Sequence, residues 1–553
     1  MMKAKNILSK LLILFTGLTF CLCMVGCSKP KADLLLFHGI VYTVDQQFSV
    51  KEAIAIKDGR ILETGTSAEL MDKYDYDKRI DLNGKPVYPG FIDAHCHFYG
   101  YATDLLKCDL TGTTSFKDII EKVVVFEKTN DFSWVLGRGW DQNDWSEKVF
   151  PDKKALDSLF PNKPVFLQRV DGHAALCNTA ALKIAGITVA TKISGGEIIC
   201  ANNEPTGLLI DNAVSLVEQH IPTYTSELIT SALMKGEANC FRCGITTVDD
   251  AGLGKDTIEF IQQLQKAEKL NMRVYAMLSN SPSTLQYYFK SGPIIDDQLT
   301  VRAVKIYADG ALGSRGACLL TDYQDRPGHF GFLLSNIDTM KNLANRALQS
   351  RFQVCTHAIG DSASRVILNM YGSLLKGKND LRWRIEHCQV TDKNDFNYYA
   401  DYSIIPSVQP THATSDMYWA EERLGPDRVK NAYAYNRLKQ AAGTIALGTD
   451  FPVEKIDPLL TFYAAVSRKD LKGFPEGGFQ KSDALDRTST LRGMTIEAAF
   501  ANFEEKKKGS IEAGKLADLV VLDNDIMLVE ESIIPNTKVL KTYLGGRCVF
   551  EVK

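Results

Sequence analysis

His95-Cys96-His97 closes an apolar run, Pro86-Val-Tyr-Pro-Gly-Phe-Ile-Asp-Ala94. On a β-strand, residues two apart share a face, so the two imidazoles converge while Cys96 turns away. Such a pair can chelate one divalent ion through neutral ring nitrogens. A His-x-His pair alone is weak, because hydrogen-bonded core histidines produce it too. The chain, however, also places Lys305, His357, His387 and Asp450 at the C-terminal ends of separate apolar, strand-like runs. Six polar residues closing five strands are hard to explain by packing. Imidazoles with a carboxylate favour Zn²⁺, while leaving room for Fe, Mn or Co.

The elements that must hold these residues alternate between strand and helix. The strand-like runs are Val87–Phe98, Ile245–Asp250, Arg273–Leu278, Val301–Asp309, Phe352–His357, Trp383–His387, Ile404–His412 and Thr444–Asp450. The stretches between them have helical periodicity, as in Ile337–Ser350, where Leu343, Ala347 and Leu348 share a face. Eight such units suit a closed (β/α)₈ TIM-like barrel, whose site is built at the C-terminal strand ends. Residues 100–240, roughly, are too long for a barrel loop and predict an insertion covering the mouth. Residues 27–86 and 506–553 are rich in short strands and tight turns, such as Lys57-Asp58-Gly59-Arg60 and Gly545-Gly546-Arg547. They predict one small composite β-sandwich built from both chain ends, around the barrel and its insertion at 87–505.

The first 26 residues read as a lipoprotein signal peptide. Lys3, Lys5 and Lys10 precede the apolar Leu11–Met24, and Met24-Val-Gly-Cys27 resembles a bacterial lipobox. Cys27 would then be lipidated and become the first mature residue; an uncleaved N-terminal anchor is the alternative. Either places the body outside the cytoplasm, in the cell envelope, tethered to a membrane. At 553 residues, 45% hydrophobic, 24% charged and with net charge −3, the rest has the composition of a globular protein. It has no basic excess, so nucleic acid is not expected as a partner. Ten cysteines scattered beyond the signal do not form a disulfide framework.

Several stretches resemble the amidohydrolase superfamily, and more closely its amidohydrolase-3 (YtcJ-like) branch, which includes N-substituted formamide deformylases. They are Gly90-Phe-Ile-Asp-Ala-His-Cys-His97, Val304-Lys-Ile-Tyr-Ala-Asp-Gly310 through Gly316, His357-Ala-Ile-Gly-Asp361, Arg384-Ile-Glu-His-Cys-Gln389, and Gly448-Thr-Asp-Phe-Pro-Val453. Lys508–Val520 is similar to the superfamily's return into its β-sandwich. The resemblance implies one or two divalent ions, Zn²⁺ first among them. His95, His97 and Asp450 would hold one with Lys305, while Lys305, His357 and His387 would hold the other. Lys305 would act as a bridging carbamate formed with CO₂, since an ammonium cannot ligate. A lysine paired with Asp309 or Asp450 is the plainer alternative.

Metal coordination lowers the pKa of bound water towards ~7. The resemblance therefore implies hydrolysis of a non-peptide C–N bond in an N-acyl or N-formyl substrate, with Asp450 carrying the proton to the leaving nitrogen. Asp171 and His173 lie in Arg169-Val-Asp-Gly-His173, similar to another motif of the branch. His173 is thus a candidate catalytic or substrate-binding residue, as against a capping turn. Trp140, as against a lid-packing residue, and Gln409 and His412, as residues ending the seventh strand, are further candidate substrate contacts. Deamination or cyclic-amide hydrolysis on the same scaffold, and non-catalytic ligand capture by a lipoprotein, are the competing functions. Oligomeric state is open, a homo-oligomer included.

Overall fold

The computed structural model describes residues 29–130 and 132–552. Residues 1–26, expected to be a signal peptide, and Cys27 lie outside the described residues. Among the described residues, eight parallel strands form the barrel: β1 (Phe91–Cys96), β2 (Ile245–Leu253), β3 (Arg273–Leu278), β4 (Leu299–Tyr307), β5 (Gln353–Ala358), β6 (Arg384–His387), β7 (Ile405–Val408) and β8 (Ala446–Leu447), with the short strand Ile294–Ile295 antiparallel to β4. They pair in sequence order from β1 to β8. Every residue of β1, β3, β5 and β6 is buried, as expected of a parallel sheet covered on both faces.

Closure of the barrel falls to single bonds just beyond β8. Asp450 N donates to His95 O at 2.8 Å, and His97 N to Phe451 O at 2.9 Å. The Asp93 carboxylate accepts Thr449 N at 2.9 Å and Thr449 Oγ1 at 2.7 Å. Gly448 permits this approach, since a Cβ there would lie 2.5 Å from His95 N.

Some strands are shorter than their apolar runs. Val87–Phe98 divides at Gly90, where a Cβ would lie 2.4 Å from Thr246 Oγ1; Pro86–Pro89 pairs elsewhere. Ile404–His412 is strand only as far as Val408. Pro410 then opens the helix Pro410–Asp416, which it suits because a proline at N1 forfeits no helical bond.

Two further sheets face one another in a sandwich. One comprises Arg60–Gly65, Ala53–Lys57, Lys31–Phe37 and Asp75–Asp81. The other joins both chain ends: Arg547–Glu551, Val539–Leu544, Leu519–Leu522, Pro86–Pro89, Ile40–Tyr42 and Val50–Lys51. Leu36, Ile54, Val87, Leu519 and Val521 meet in one buried cluster between them, each worth roughly 1.5–3 kcal/mol of burial. The barrel with a composite sandwich is the fold that the sequence predicts.

The insertion after β1 is a six-stranded sheet in the order Gly196–Ala201, Glu204–Asp211, Ala174–Cys177, Val165–Arg169, Val135–Trp140, Cys108–Asp109. It has cores of its own on either face. The helix Ser226–Arg242 does not belong to it. That helix buries Leu233, Cys240 and Phe241 in the barrel's outer core.

Candidate metal centre

The strand ends bring the sequence-predicted residues together. His95 Nε2 lies 3.7 Å and His97 Nε2 3.4 Å from Asp450 Oδ1, and His387 Nδ1 lies 3.8 Å from Asp450 Oδ2. Lys305 Nζ is 3.2 Å from His95 Nε2. The His357 and His387 rings are 4.6 Å apart, and those of His95 and His387 4.7 Å. Ligand atoms of His95, His387 and Asp450 all fall within 4.8 Å of one another. Cys96 turns outward into the core with Phe98, Ala102 and Ala232.

Three of the four rings are oriented by a partner at Nδ1, whereas His357 instead sets Nε2 3.4 Å from Gly310 O. Glu386 accepts from His95 Nδ1 at 2.6 Å, Ala251 O from His97 Nδ1 at 3.2 Å, and Gln409 Oε1 from His387 Nδ1 at 2.8 Å. These bonds put the proton on Nδ1 and leave Nε2 with its lone pair. Glu386 is itself held by Arg384 Nε at 2.7 Å, and Arg384 reaches Asp249 at 3.0 Å. Asp309 is tied down by the backbone N–H groups of Cys318, Ile359 and Gly360.

The electrostatics favour cation binding. Burial, then the charge of Lys305, pushes His95 down to about 4. Burial likewise holds His357 and His387 well below the usual imidazole value. All three are therefore neutral near pH 7. Burial works against charge on Asp450, but His97, His95 and His387 outweigh it and hold the carboxyl well below its usual range. Burial pushes Lys305 down to about 8. Asp450 and His387 have φ of +63° and +75°, a region costly for residues with a Cβ and concentrated at functional sites.

A metal fits this donor set. Asp450 Oδ1 is buried with no hydrogen-bond partner among the described residues, while neutral imidazole nitrogens are turned to it. Lys305 is fully buried and has no carboxylate within ion-pair distance among the described residues, so the pairing with Asp309 or Asp450 is not formed.

Above the centre lies a cavity of about 720 Å³, roofed by the insertion. His173 reaches into it from the lid, its ring 5.3 Å from that of His357 and its Nδ1 2.6 Å from Asp211 Oδ1. Burial opposes charge on His173, but the Asp211 bond and charge raise its pKa overall. Asp211 has φ +49°. Asp171 lines the cavity while bonding Arg169 and accepting His173 N at 3.0 Å. His412 Nε2 lies 3.6 Å from Asp450 Oδ2, and Gln389 Nε2 is 3.0 Å from His412 Nδ1. That contact leaves the His412 proton on Nε2, facing the cavity.

Two expected substrate contacts are otherwise employed. Trp140 is 1% exposed; its indole N–H donates to Leu167 O at 2.8 Å and its ring packs in the lid core against Trp145. Its neighbours Gly139 and Asp141 line the cavity instead. Gln409, also 1% exposed, orients His387 from behind. His412 stands on a helix rather than a strand end, yet does face the cavity. Glu386, Asp211 and Gln389 had no role assigned from sequence. Glu386 and Gln389 both lie in the Arg384–Gln389 stretch that carries His387, whereas Asp211 lies in no such stretch.

A profile of the amidohydrolase family matches residues 78–550. The chain belongs to that family, whose name denotes hydrolases. It is 33% identical over 539 residues to Protein LONG AFTER FAR-RED 3 of Arabidopsis thaliana, covering 94% of this chain and 92% of the relative. It is 26% identical over 545 residues to N-substituted formamide deformylase of Arthrobacter pascens, covering 94% and 98%. The crystal structure of an uncharacterized metal-dependent hydrolase from Pyrococcus horikoshii superposes with a TM-score of 0.73 at 27% identity, covering 90% of this chain and 99% of that one.

Proposed function

We propose that this chain is a metal-dependent hydrolase of non-peptide C–N bonds, acting on an N-acyl or N-formyl amide. The observation that carries the reading is the convergence of His95, His97, Lys305, His357, His387 and Asp450 beneath one cavity. Likeness to an N-substituted formamide deformylase over nearly the whole chain supports the amide as substrate. His95, His97 and Asp450 would hold one divalent ion, and His357 and His387 a second, with Lys305 between them. Zn²⁺ suits the imidazole and carboxylate donors best. Bound there, a divalent ion would lower the pKa of water towards ~7 and polarise a carbonyl.

The chain's own residues do the rest. Asp450, with Oδ1 unpartnered, takes the proton of the attacking water and returns it to the leaving nitrogen. His412, through its Nε2–H, and His173, from the lid, face the cavity where the carbonyl oxygen must lie and stabilise charge developing on it. Lys305 is proposed to carry a carbamate, formed when its neutral amine attacks CO₂ and sheds a proton. A buried ammonium without a carboxylate partner would otherwise be costly.

Purified protein loaded with Zn²⁺ should release amine from N-formyl or N-acetyl amides and contain one to two ions per chain. Failure to turn over any amide in a broad screen overturns the reading. Lys305→Ala should lose at least one ion and nearly all turnover; electron density showing a bare ammonium at full metal occupancy would refute the carbamate. We further propose that Cys27 is lipidated and anchors the enzyme to a membrane outside the cytoplasm. Cys27→Ala should leave the precursor unprocessed and without lipid.

A further inference from the structure

Tyr307 stands two residues beyond Lys305 on β4, so the two side chains share the inward face of that strand. The spacing sets Tyr307 about 6–7 Å nearer the mouth, in the wall of the cavity rather than on its floor. Lys305 Nζ lies 5.0 Å from the centre of its ring, and the centre of the His357 ring lies 5.6 Å away. The hydroxyl leans towards the end of β2, 3.4 Å from where a Cβ on Gly252 would stand. None of the six residues of the metal centre comes from β2 or β3, and the phenol covers that sector of the rim.

The Tyr307 hydroxyl has no hydrogen-bond partner among the described residues. It is not a walled-in atom, because the residue is only half-buried and lines the cavity. Other tyrosines of the barrel are already engaged. The hydroxyls of Tyr101, Tyr323, Tyr433 and Tyr435 meet Asn239, Ala317 O, Asp416 and Gln409 O at 2.8–3.0 Å. A phenol left open to a cavity can both donate and accept, and is met by water or by a ligand.

Strand order tells which part of a ligand it meets. In a ring of eight, β7 lies opposite β3, so His412, on the helix after β7, faces Tyr307 across the centre. Groups on opposite sides address different parts of a substrate. Asp450, beyond β8, is the proposed donor to the leaving nitrogen. Asp416 and Glu454 line the same side and offer carboxylates to an amine that leaves as ammonium. The nitrogen therefore lies towards β7 and β8, and the acyl substituent turns towards Tyr307. Ala311 and Ile359, which follow β4 and β5, add apolar lining there.

We propose that Tyr307 forms an acyl subsite, in which its hydroxyl receives a polar atom on a short acyl chain. The enzyme would then favour a hydroxyacyl group over an alkyl group of the same size. This rests on the amide-hydrolase reading and narrows its substrate class.

The test uses two pairs of benzylamine amides on the full-length, Zn²⁺-loaded protein: N-glycoloyl with N-propionyl, and N-3-hydroxypropionyl with N-butyryl. Size is matched within each pair, and only the hydroxyl differs. The readout is the ratio of kcat/KM within a pair, which is internal to each preparation, so loss of folded protein cancels. Wild type should favour the hydroxyacyl member of at least one pair by about tenfold, the scale of one buried hydrogen bond. Tyr307→Phe keeps the ring and should bring that ratio towards one, with metal content unchanged. A wild-type ratio near one in both pairs overturns the subsite. So does a preference that persists in Tyr307→Phe, as it would if the metal took the hydroxyl. If no amide turns over, the amide reading fails separately, and calorimetric titration with the same pairs decides. Tighter binding of a hydroxyacyl compound, abolished by Tyr307→Phe, would still uphold the subsite; equal or absent binding would overturn it.

Discussion

The barrel floor and the lid hold their functional side chains by different means. On the floor, the imidazoles stand at or just past the ends of fully buried strands, and a buried polar side chain fixes two of the rings from behind: Glu386 for His95, Gln409 for His387. In the lid, His173 stands on a turn, and ion pairs do the positioning, with Arg169 drawn to Asp141 and Asp171, and Asp211 behind the ring. The floor is thus anchored by a parallel sheet shared with the whole barrel. The lid is anchored by its own cores and a few charges. The difference teaches where to expect chemistry and where to expect selectivity: damage to the floor should remove turnover, while damage to the lid should change what is turned over.

The sharpest test on the floor is Asp450→Asn. As the proposed proton carrier it has a task that an amide cannot perform, so the metal-loaded variant should lose about 10²–10⁴-fold in kcat with little change in KM. Near wild-type kcat at full metal occupancy would pass the role to His173 or His412. Glu386→Gln tests the support beneath the floor. It weakens the bond that orients His95, and metal affinity should fall about 10–100-fold, the usual scale for such partners. It also strips Arg384 of a buried countercharge, so thermal stability should drop as well. Arg384 and His95 hold the Glu386 carboxyl below its usual range, although burial opposes them. Its stabilising contribution is therefore complete above the ordinary glutamate pKa and lost only as pH falls through the depressed folded value. The wild-type stability curve should accordingly lose part of its acid-side slope in the variant, as pH-dependent melting would show.

In the lid, Asp211→Asn should cost less, about tenfold in kcat/KM if His173 contributes a single charge-assisted hydrogen bond, with metal content untouched. Loss of metal on this substitution would erase the distinction between floor and lid. The smallest effect belongs to Trp140→Phe, which removes one buried N–H bond worth about 1 kcal/mol. It should lower the melting temperature and leave KM alone, because Trp140 packs within the lid. A shift in KM with no shift in stability would return Trp140 to the substrate.

The floor was legible in the sequence because its signal is local. A polar residue ending an apolar run announces a barrel strand's C-terminal end, and period-two alternation places His95 and His97 together. The lid was less legible for a matching reason. Whether Trp140 or its neighbours Gly139 and Asp141 face the cavity depends on a strand packing into a core that no short motif encodes. The apolar run continues past Val408, so patterning alone sets Gln409 and His412 at a strand end, whereas Pro410 starts a helix. Glu386 and Asp211 act across 291 and 38 residues, separations at which one sequence carries no pairing signal.

The seam that closes the barrel carries a consequence for how the protein comes into being. The last stitches between β8 and β1 are made by His95, His97 and Asp450 themselves, through their backbones, while their side chains face the centre. One edge of that seam lies in the first fifth of the chain and the other in the last fifth. A growing or cleaved chain that lacks either edge therefore has neither a closed barrel nor His95, His97 and Asp450 held together. Completion of the fold and readiness to act are a single event, and a metal bound across the seam would serve as its clasp.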